Sequence, residues 1–292
     1  MKAFCRKHIV IYTLGIICIA LFSSLMTNFL QSFFPENRMM YFLMEAIVKF
    51  SISSVLLVTM VKFGYTKKAD KKNIFLGFLL CSPLLFLILQ NVLPLVLINP
   101  ILFKIQWGNL LAIILLFLSV GLLEETTIRG LLLPLLCEKW ENKKHSYLKA
   151  AIFSSLIFGF VHFTHSVSYF ISYGYVPLNL LLGNLSQVFY AFCFGLFASG
   201  VAMYSRNIIS LILFHALWDI PALLTYGILP YASAEFYKRQ QLLTLQRVFY
   251  KYGFLPNFPF TEVIIYYFTH AFFIIVGITL ILKAEKKYMK AQ

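Results

Sequence analysis

Eight long apolar runs divide the chain, and short polar segments separate them. A helix needs about 20 apolar residues to cross the hydrocarbon core of a bilayer. We therefore predict an all-α, polytopic membrane helix bundle with about eight transmembrane helices, which form a single membrane domain over residues 1–292. The predicted spans cover residues 9–33, 41–61, 74–98, 110–136, 148–167, 178–203, 208–227 and 263–282.

Composition and charge support a membrane protein. The chain is 60% hydrophobic and 12% charged, whereas soluble domains carry about 25% charged residues. The net charge of +14 does not indicate nucleic-acid binding, because the basic residues collect in short segments between apolar runs, such as 67–72, 139–149 and 283–290. This alternation predicts that the N- and C-termini are both cytoplasmic. The longer segment 228–260 is an exception in charge, and its aromatic residues predict a position at the outer membrane interface.

Charged residues interrupt the fourth apolar run, where Glu124, Glu125 and Arg129 fall within six positions. An ionised side chain at bilayer depth costs about 2.5–3.5 kcal/mol on insertion scales, so a functional site is the default interpretation. Glu125 and Arg129 are one helical turn apart in the order that favours an ion pair. Glu124 has Ile128 at the same spacing, and a poorly solvated carboxylate without a counter-charge is suited to act as a general base. The alternative is an ionic cluster that only locks helices together.

Polar residues also interrupt the fifth and seventh runs, with His162 in one and His215 and Asp219 in the other. At about 1.5 Å per residue, Glu124 and His162 both lie about 20 Å from the predicted cytoplasmic ends of their spans. His215 and Asp219 lie about 10 and 17 Å deep by the same rise. The four side chains are therefore expected to meet in one cavity. Glu124 and His162 are suited to activate a water, and the other two to bind a divalent metal or an oxyanion.

Three motifs in this order resemble the signature of the CPBP family of intramembrane proteases, which comprises the CAAX prenyl proteases and the bacterial Abi proteins. The motifs are Glu124-Glu125-x-x-x-Arg129, Phe158-x-x-x-His162 and His215-x-x-x-Asp219. The aromatic segment 189–196 resembles a weaker motif between them. The resemblance places a catalytic core at residues 110–227.

The resemblance implies a membrane endopeptidase with a water-filled cavity. It assigns water activation to Glu124 and His162, oxyanion or metal binding to His215 and Asp219, and organisation of the site to Glu125 and Arg129. The family has been described both as metalloproteases and as metal-free glutamate proteases. A divalent metal such as zinc, held by Glu124, His162, His215 and Asp219, is therefore one alternative, and a metal-free site is the other. Asp219 stands where the prenyl-protein processing enzymes have Asn, and an ionised Asp cannot donate to an oxyanion, which favours a metal.

Three functions remain after this reasoning. The first is an intramembrane endopeptidase that cleaves a membrane-associated peptide or protein, with bacteriocin self-immunity or peptide processing implied by bacterial relatives. The second is a non-catalytic membrane scaffold or bacteriocin immunity factor, although a scaffold does not require unpaired intramembrane acids. The third is an ion-coupled transporter, against which the missing internal repeat counts. Residue usage resembles that of a low-GC Gram-positive bacterium, so we expect a multi-pass protein of the bacterial plasma membrane.

Overall fold

The computed structural model describes residues 9–34, 38–65, 70–98, 107–141, 143–219 and 260–289, and these contain helices and no β-strand. The helices are α1 Ile9–Phe33, α2 Arg38–Lys62, α3 Lys71–Ile98, α4 Trp107–Glu125, a π-helix Thr126–Leu132, α5 Leu133–Lys139, α6 Ser146–Val161, α7 Thr164–Tyr173, α8 Leu178–Ser205, α9 Ile209–Trp218 and α10 Phe260–Met289. The predicted all-α class is therefore confirmed.

Four of the described helical segments are long and apolar enough to cross a membrane. They are Met39–Lys62, Leu110–Lys139, Leu180–Ser205 and Tyr267–Lys287. These segments lie in the second, fourth, sixth and eighth predicted spans. The count of eight transmembrane helices and the cytoplasmic position of both termini stay predictions.

The prediction of one continuous fifth helix over 148–167 is wrong, because α6 ends at Val161 and α7 begins at Thr164. The backbone N–H groups of His162 and Phe163 donate to carbonyls three residues back, at Gly159 and Phe160. Such bonds tighten the last turn of a helix and satisfy its terminal carbonyls. The seventh predicted span appears as α9, and its remainder at 220–227 lies outside the described residues, as does the interfacial segment up to residue 259.

Glycines allow the helices that carry the polar residues to approach closely. A Cβ atom added to Gly121 of α4 would lie 2.7 Å from the carbonyl oxygen of Ile212 in α9. A Cβ atom on Gly277 of α10 would lie 2.7 Å from the carbonyl carbon of Leu196 in α8. Small residues at helix contacts let backbones pack directly in membranes, where the hydrophobic effect between helices is weak. The α8–α10 and α4–α9 contacts therefore depend on glycine.

The α8–α10 contact generates a test. Gly277→Ala places a methyl group against the α8 backbone, and we expect a loss of about 1–3 kcal/mol, typical of overpacking. Gly183→Ala in α8 is the matched control, because no heavy atom lies within 4 Å of a Cβ at that position. We expect the control to be neutral or stabilising, since alanine is the better helix former. Thermal unfolding of the full-length protein in detergent measures both, and equal shifts would contradict the packing.

Candidate active site

A change of helix type follows directly after the two adjacent glutamates. α4 ends at Glu125, and all seven residues of the π-helix that follows are buried. The N–H of Leu133 donates to the carbonyl of Ile128, five residues back. Pro134 comes next and has neither an N–H nor space for the carbonyl four residues earlier, so a widened turn accommodates it. Such π-turns within α-helices are frequent at functional sites.

The predicted pair between Glu125 and Arg129 is present and completely buried. Nη1 of Arg129 lies 3.2 Å from Oε1 of Glu125, and both side chains are 0% exposed. The guanidinium also lies 4.3 Å from the centroid of the Phe158 ring. A desolvated guanidinium over an aromatic face gains a cation–π attraction. The carboxylate and this ring offset part of the cost of burying the guanidinium, and among the described residues Nε and Nη2 of Arg129 have no hydrogen-bond partner.

His215 lies between the two glutamates. Its Nδ1 is 2.7 Å from Oε1 of Glu125, and its Nε2 is 3.4 Å from Oε2 of Glu124. An ionised carboxylate only accepts hydrogen bonds, so Nδ1 carries the hydrogen that is donated to Glu125. The close approach at Gly121, whose added Cβ would be 3.5 Å from the Cβ of His215, sets this position. One imidazole thus links adjacent carboxylates of α4 to α9.

Phenylalanine rings enclose the imidazole of His215. The ring centroids of Phe158 and Phe194 lie 6.1 and 5.2 Å from that of His215, both in edge-to-face arrangements. Phe158 also meets His162, with centroids 4.9 Å apart. Phe158 belongs to the motif Phe158-x-x-x-His162, but no role for its ring follows from the motif. Its spacing of four residues before His162 was the available signal, because it places both side chains on one helical face.

His162 lies at the carboxyl end of α6 and is half-buried. Its Nδ1 lies 2.9 Å from the carbonyl oxygen of Phe158. A carbonyl only accepts, so the hydrogen resides on Nδ1, and in the neutral ring Nε2 is the acceptor. His162 therefore presents a basic nitrogen while its ring is held by its own helix.

Glu124 and Glu125 are neighbours in sequence with different surroundings. The Glu124 side chain is 26% exposed, whereas that of Glu125 is fully buried. Within the described part of the chain, no hydrogen bond reaches Oε2 of Glu124, which faces Nε2 of His215. Glu125 is tied to Arg129 and His215, and Glu124 is the more accessible of the two carboxylates. This division matches the roles that the helical spacing predicts.

Asp219 follows the last residue of α9 and is half-buried. Its backbone N–H lies 3.2 Å from the carbonyl oxygen of His215, so the helical turn between them is intact. The charges of His215, Glu124 and Lys49 act on its carboxyl group. The fold thus brings Asp219 to the same cluster as the glutamates.

The described residues contain no preformed cluster of metal ligands. Among them, no three His, Cys, Asp or Glu side chains are placed to share a metal. His162 and His215 each use Nδ1 for a contact within the protein, with the Phe158 carbonyl and Glu125 respectively, so Nε2 is the nitrogen that each ring could offer to a metal. The expectation of zinc stays a prediction.

This part of the chain is similar to a known protein family. Residues 106–221 match the family model described as type II CAAX prenyl endopeptidase Rce1-like. The match contains every candidate site residue named above except Lys49. Neither a curated protein nor a solved structure matches the chain.

The buried ion pair generates a second test. Arg129→Met leaves the Glu125 carboxylate buried without its cation, and we expect a loss of about 3–5 kcal/mol, seen as a lower unfolding midpoint. The double variant Arg129→Met/Glu125→Gln removes both charges, so we expect it to be more stable than the single variant. Thermal unfolding in detergent compares the two. A double variant no more stable than the single one would show that the pair does not govern stability here.

Proposed function

We propose that the chain is an intramembrane protease of the CPBP family, which the match over residues 106–221 supports, and that it hydrolyses a peptide bond in a membrane-associated peptide or protein. Glu124 carries the proposal. Its carboxylate lies within an apolar helix and stays partly exposed, whereas the carboxylate of its neighbour Glu125 is bound to Arg129 and His215. Intramembrane acids of this kind mark functional sites.

In the proposed mechanism, Glu124 takes a proton from a water that Nε2 of His162 holds by accepting its other hydrogen. The water oxygen attacks the carbonyl carbon of the peptide, and the carbonyl π-electrons move to its oxygen to form a tetrahedral oxyanion. Collapse of this intermediate breaks the C–N bond, and Glu124 returns its proton to the leaving amine. Each step uses general acid–base catalysis, which contributes about 10²–10⁴-fold.

His215 is assigned to the oxyanion in this proposal. The hydrogen bond from Nδ1 to Glu125 orients the ring and directs Nε2 toward Glu124. When Nε2 is protonated, it donates to the developing negative charge, and preorganised donors of this kind are worth several kcal/mol in a dry site. Arg129 and Glu125 are positioning residues in this scheme, because they act through His215. Asp219 contributes charge beside the same imidazole.

The setting that we propose for this chemistry is the bacterial plasma membrane. Eight spanning helices with both ends cytoplasmic agree with the distribution of lysine in the sequence. Residues 110–227 serve as the catalytic core of a single membrane domain, and the physiological role is bacteriocin self-immunity or peptide processing. The lipid bilayer and a peptide or protein substrate are the partners.

A scaffold or immunity factor without catalysis is the second candidate function. The observation in its favour is the buried cluster of Arg129, Glu125 and His215, which joins the π-helix and α4 to α9 and is sufficient to lock these helices together. Glu125 alone is sufficient for such a lock, which leaves the partial exposure of Glu124 unexplained. The ion-coupled transporter, the third alternative, has no comparable support from the family match.

The test compares peptides in cells and medium for the wild type, Glu124→Gln and His162→Ala at matched expression. We expect a product made by the wild type to fall by about 10²–10⁴-fold in both variants, the usual contribution of acid–base groups. Glu141→Gln is the matched control, because Glu141 is exposed in the turn after α5 and outside the site. We expect it to retain the product.

A chelator added to wild-type membranes tests the zinc alternative in the same assay. Product formation that persists supports the metal-free mechanism, and its loss assigns a metal to the site. An unchanged peptide profile in all variants would contradict proteolysis and leave the scaffold as the function.

A further inference from the structure

α2 lies outside the segment that matches the family model. Besides Arg38 and Lys62 at its ends, it carries two charges in its interior, Glu45 and Lys49. Their spacing predicts that they satisfy each other. In the structure, Nζ of Lys49 does donate to Oε1 of Glu45, and the two side chains are 13% and 9% exposed. Charged side chains in the middle of an apolar membrane helix cost free energy, and they usually pair with each other or belong to a functional site.

The pair is not isolated from other polar groups. The hydroxyl of Tyr41, one turn before Glu45, also donates to that carboxylate. Glu45 thus has a second donor. The ammonium group of Lys49 has three hydrogens to donate, so it can make further hydrogen bonds besides the one to Glu45.

The helix register places Lys49 level with Asp219. The sulfur of Met39 packs at Gly108 and that of Met60 at Gly130, so α2 runs parallel to α4 and Lys49 falls beside residues 118–119. α9 runs the other way along α4, because Ile208 packs at Gly130 while the backbone of Ile212–Ala216 packs at Gly121.

Asp219 lies one turn beyond His215 along this direction. It therefore falls past Gly121 and close to the level of Lys49. The charge environment agrees with this register, since the charges of His215, Glu124 and Lys49 act on the carboxyl group of Asp219. Glu124 repels the Asp219 carboxylate, and Arg129 is already paired with Glu125.

We propose that Lys49 is a further positioning residue of the site. Its ammonium group is bonded to Glu45, and its charge also acts on Asp219 and offsets the repulsion between Asp219 and Glu124. Like charges in a poorly solvated site disfavour one another, and a nearby opposite charge removes that cost. The consequence for catalysis rests on the proposed function. The charge pairing itself does not, so the two are tested separately.

The first arm measures thermal unfolding of the full-length protein in detergent. Lys49→Gln leaves both acids without their cation, and we expect the midpoint to fall by about 2–4 °C. Asp219→Asn introduced into Lys49→Gln removes the unpaired charge, so we expect it to recover part of that loss. Such non-additivity identifies residues that interact. Lys62→Gln, an exposed lysine at the end of the same helix, is the control and leaves the midpoint unchanged.

The second arm measures the initial rate at which the wild-type peptide product appears. We expect Lys49→Gln to slow it about tenfold to hundredfold, as a displaced site group does. Lys49→Arg keeps the charge and is expected to restore most of the rate, while Lys62→Gln matches the wild type. Rescue by arginine is not expected if the residue only fills space.

Two results would overturn the proposal. One is a Lys49→Gln variant that behaves like Lys62→Gln in both arms. The other is strict additivity of Lys49→Gln and Asp219→Asn combined with full recovery in Lys49→Gln/Glu45→Gln, which assigns Lys49 to Glu45 alone. Coupling in the first arm without any peptide product in the second supports the charge pairing and contradicts the proposed protease function.

Discussion

The constraint on which the site depends is the burial of an arginine among apolar helices. Arg129 is fully buried, and its charge is met by one carboxylate and one aromatic face, those of Glu125 and Phe158. Removing either charge of such a pair leaves the other buried without a counter-charge. The free-energy cost of burying each charge therefore depends on the presence of its partner. Glu125 then reaches across to His215, and through this bond the charge pair fixes the relation between α4 and α9. The electrostatics of the pair and the packing of α4 against α9 therefore depend on each other.

Local departures from regular helix supply the geometry that this arrangement needs. The π-helix contains Arg129, and its wider turn accommodates Pro134. Gly121 has no side chain, which allows α9 to approach α4 closely. The end of α6 at Val161 leaves His162 in a turn, where its ring bonds to the carbonyl of Phe158. Each irregularity places one polar group, which is why they concentrate at the site while α2 and α8 run uninterrupted.

Sequence reasoning reached what depends on spacing within one helix and missed what depends on contact between helices. The Glu125–Arg129 pair follows from a separation of four residues, and it is present. The bridge from His215 to both glutamates joins residues about 90 positions apart, and no periodicity encodes it. The break after Val161 was missed because Phe160 and Phe163 continue the apolar pattern across it. The π-helix had a signal in Pro134, but a proline alone does not distinguish a kink from a widened turn.

The adjacent glutamates show how one dipeptide supports two different tasks. In a helix, successive residues point about 100° apart, so Glu124 and Glu125 necessarily meet different neighbours. Glu125 points at Arg129 and is fully buried, and Glu124 points toward His215 and keeps a quarter of its side chain exposed. Two carboxylates whose surroundings differ in this way are suited to different roles, one fixed and ionised and one free to exchange a proton. A single glutamate could not both hold His215 in place and serve as the base beside it, so the pair is the smallest sequence that does both.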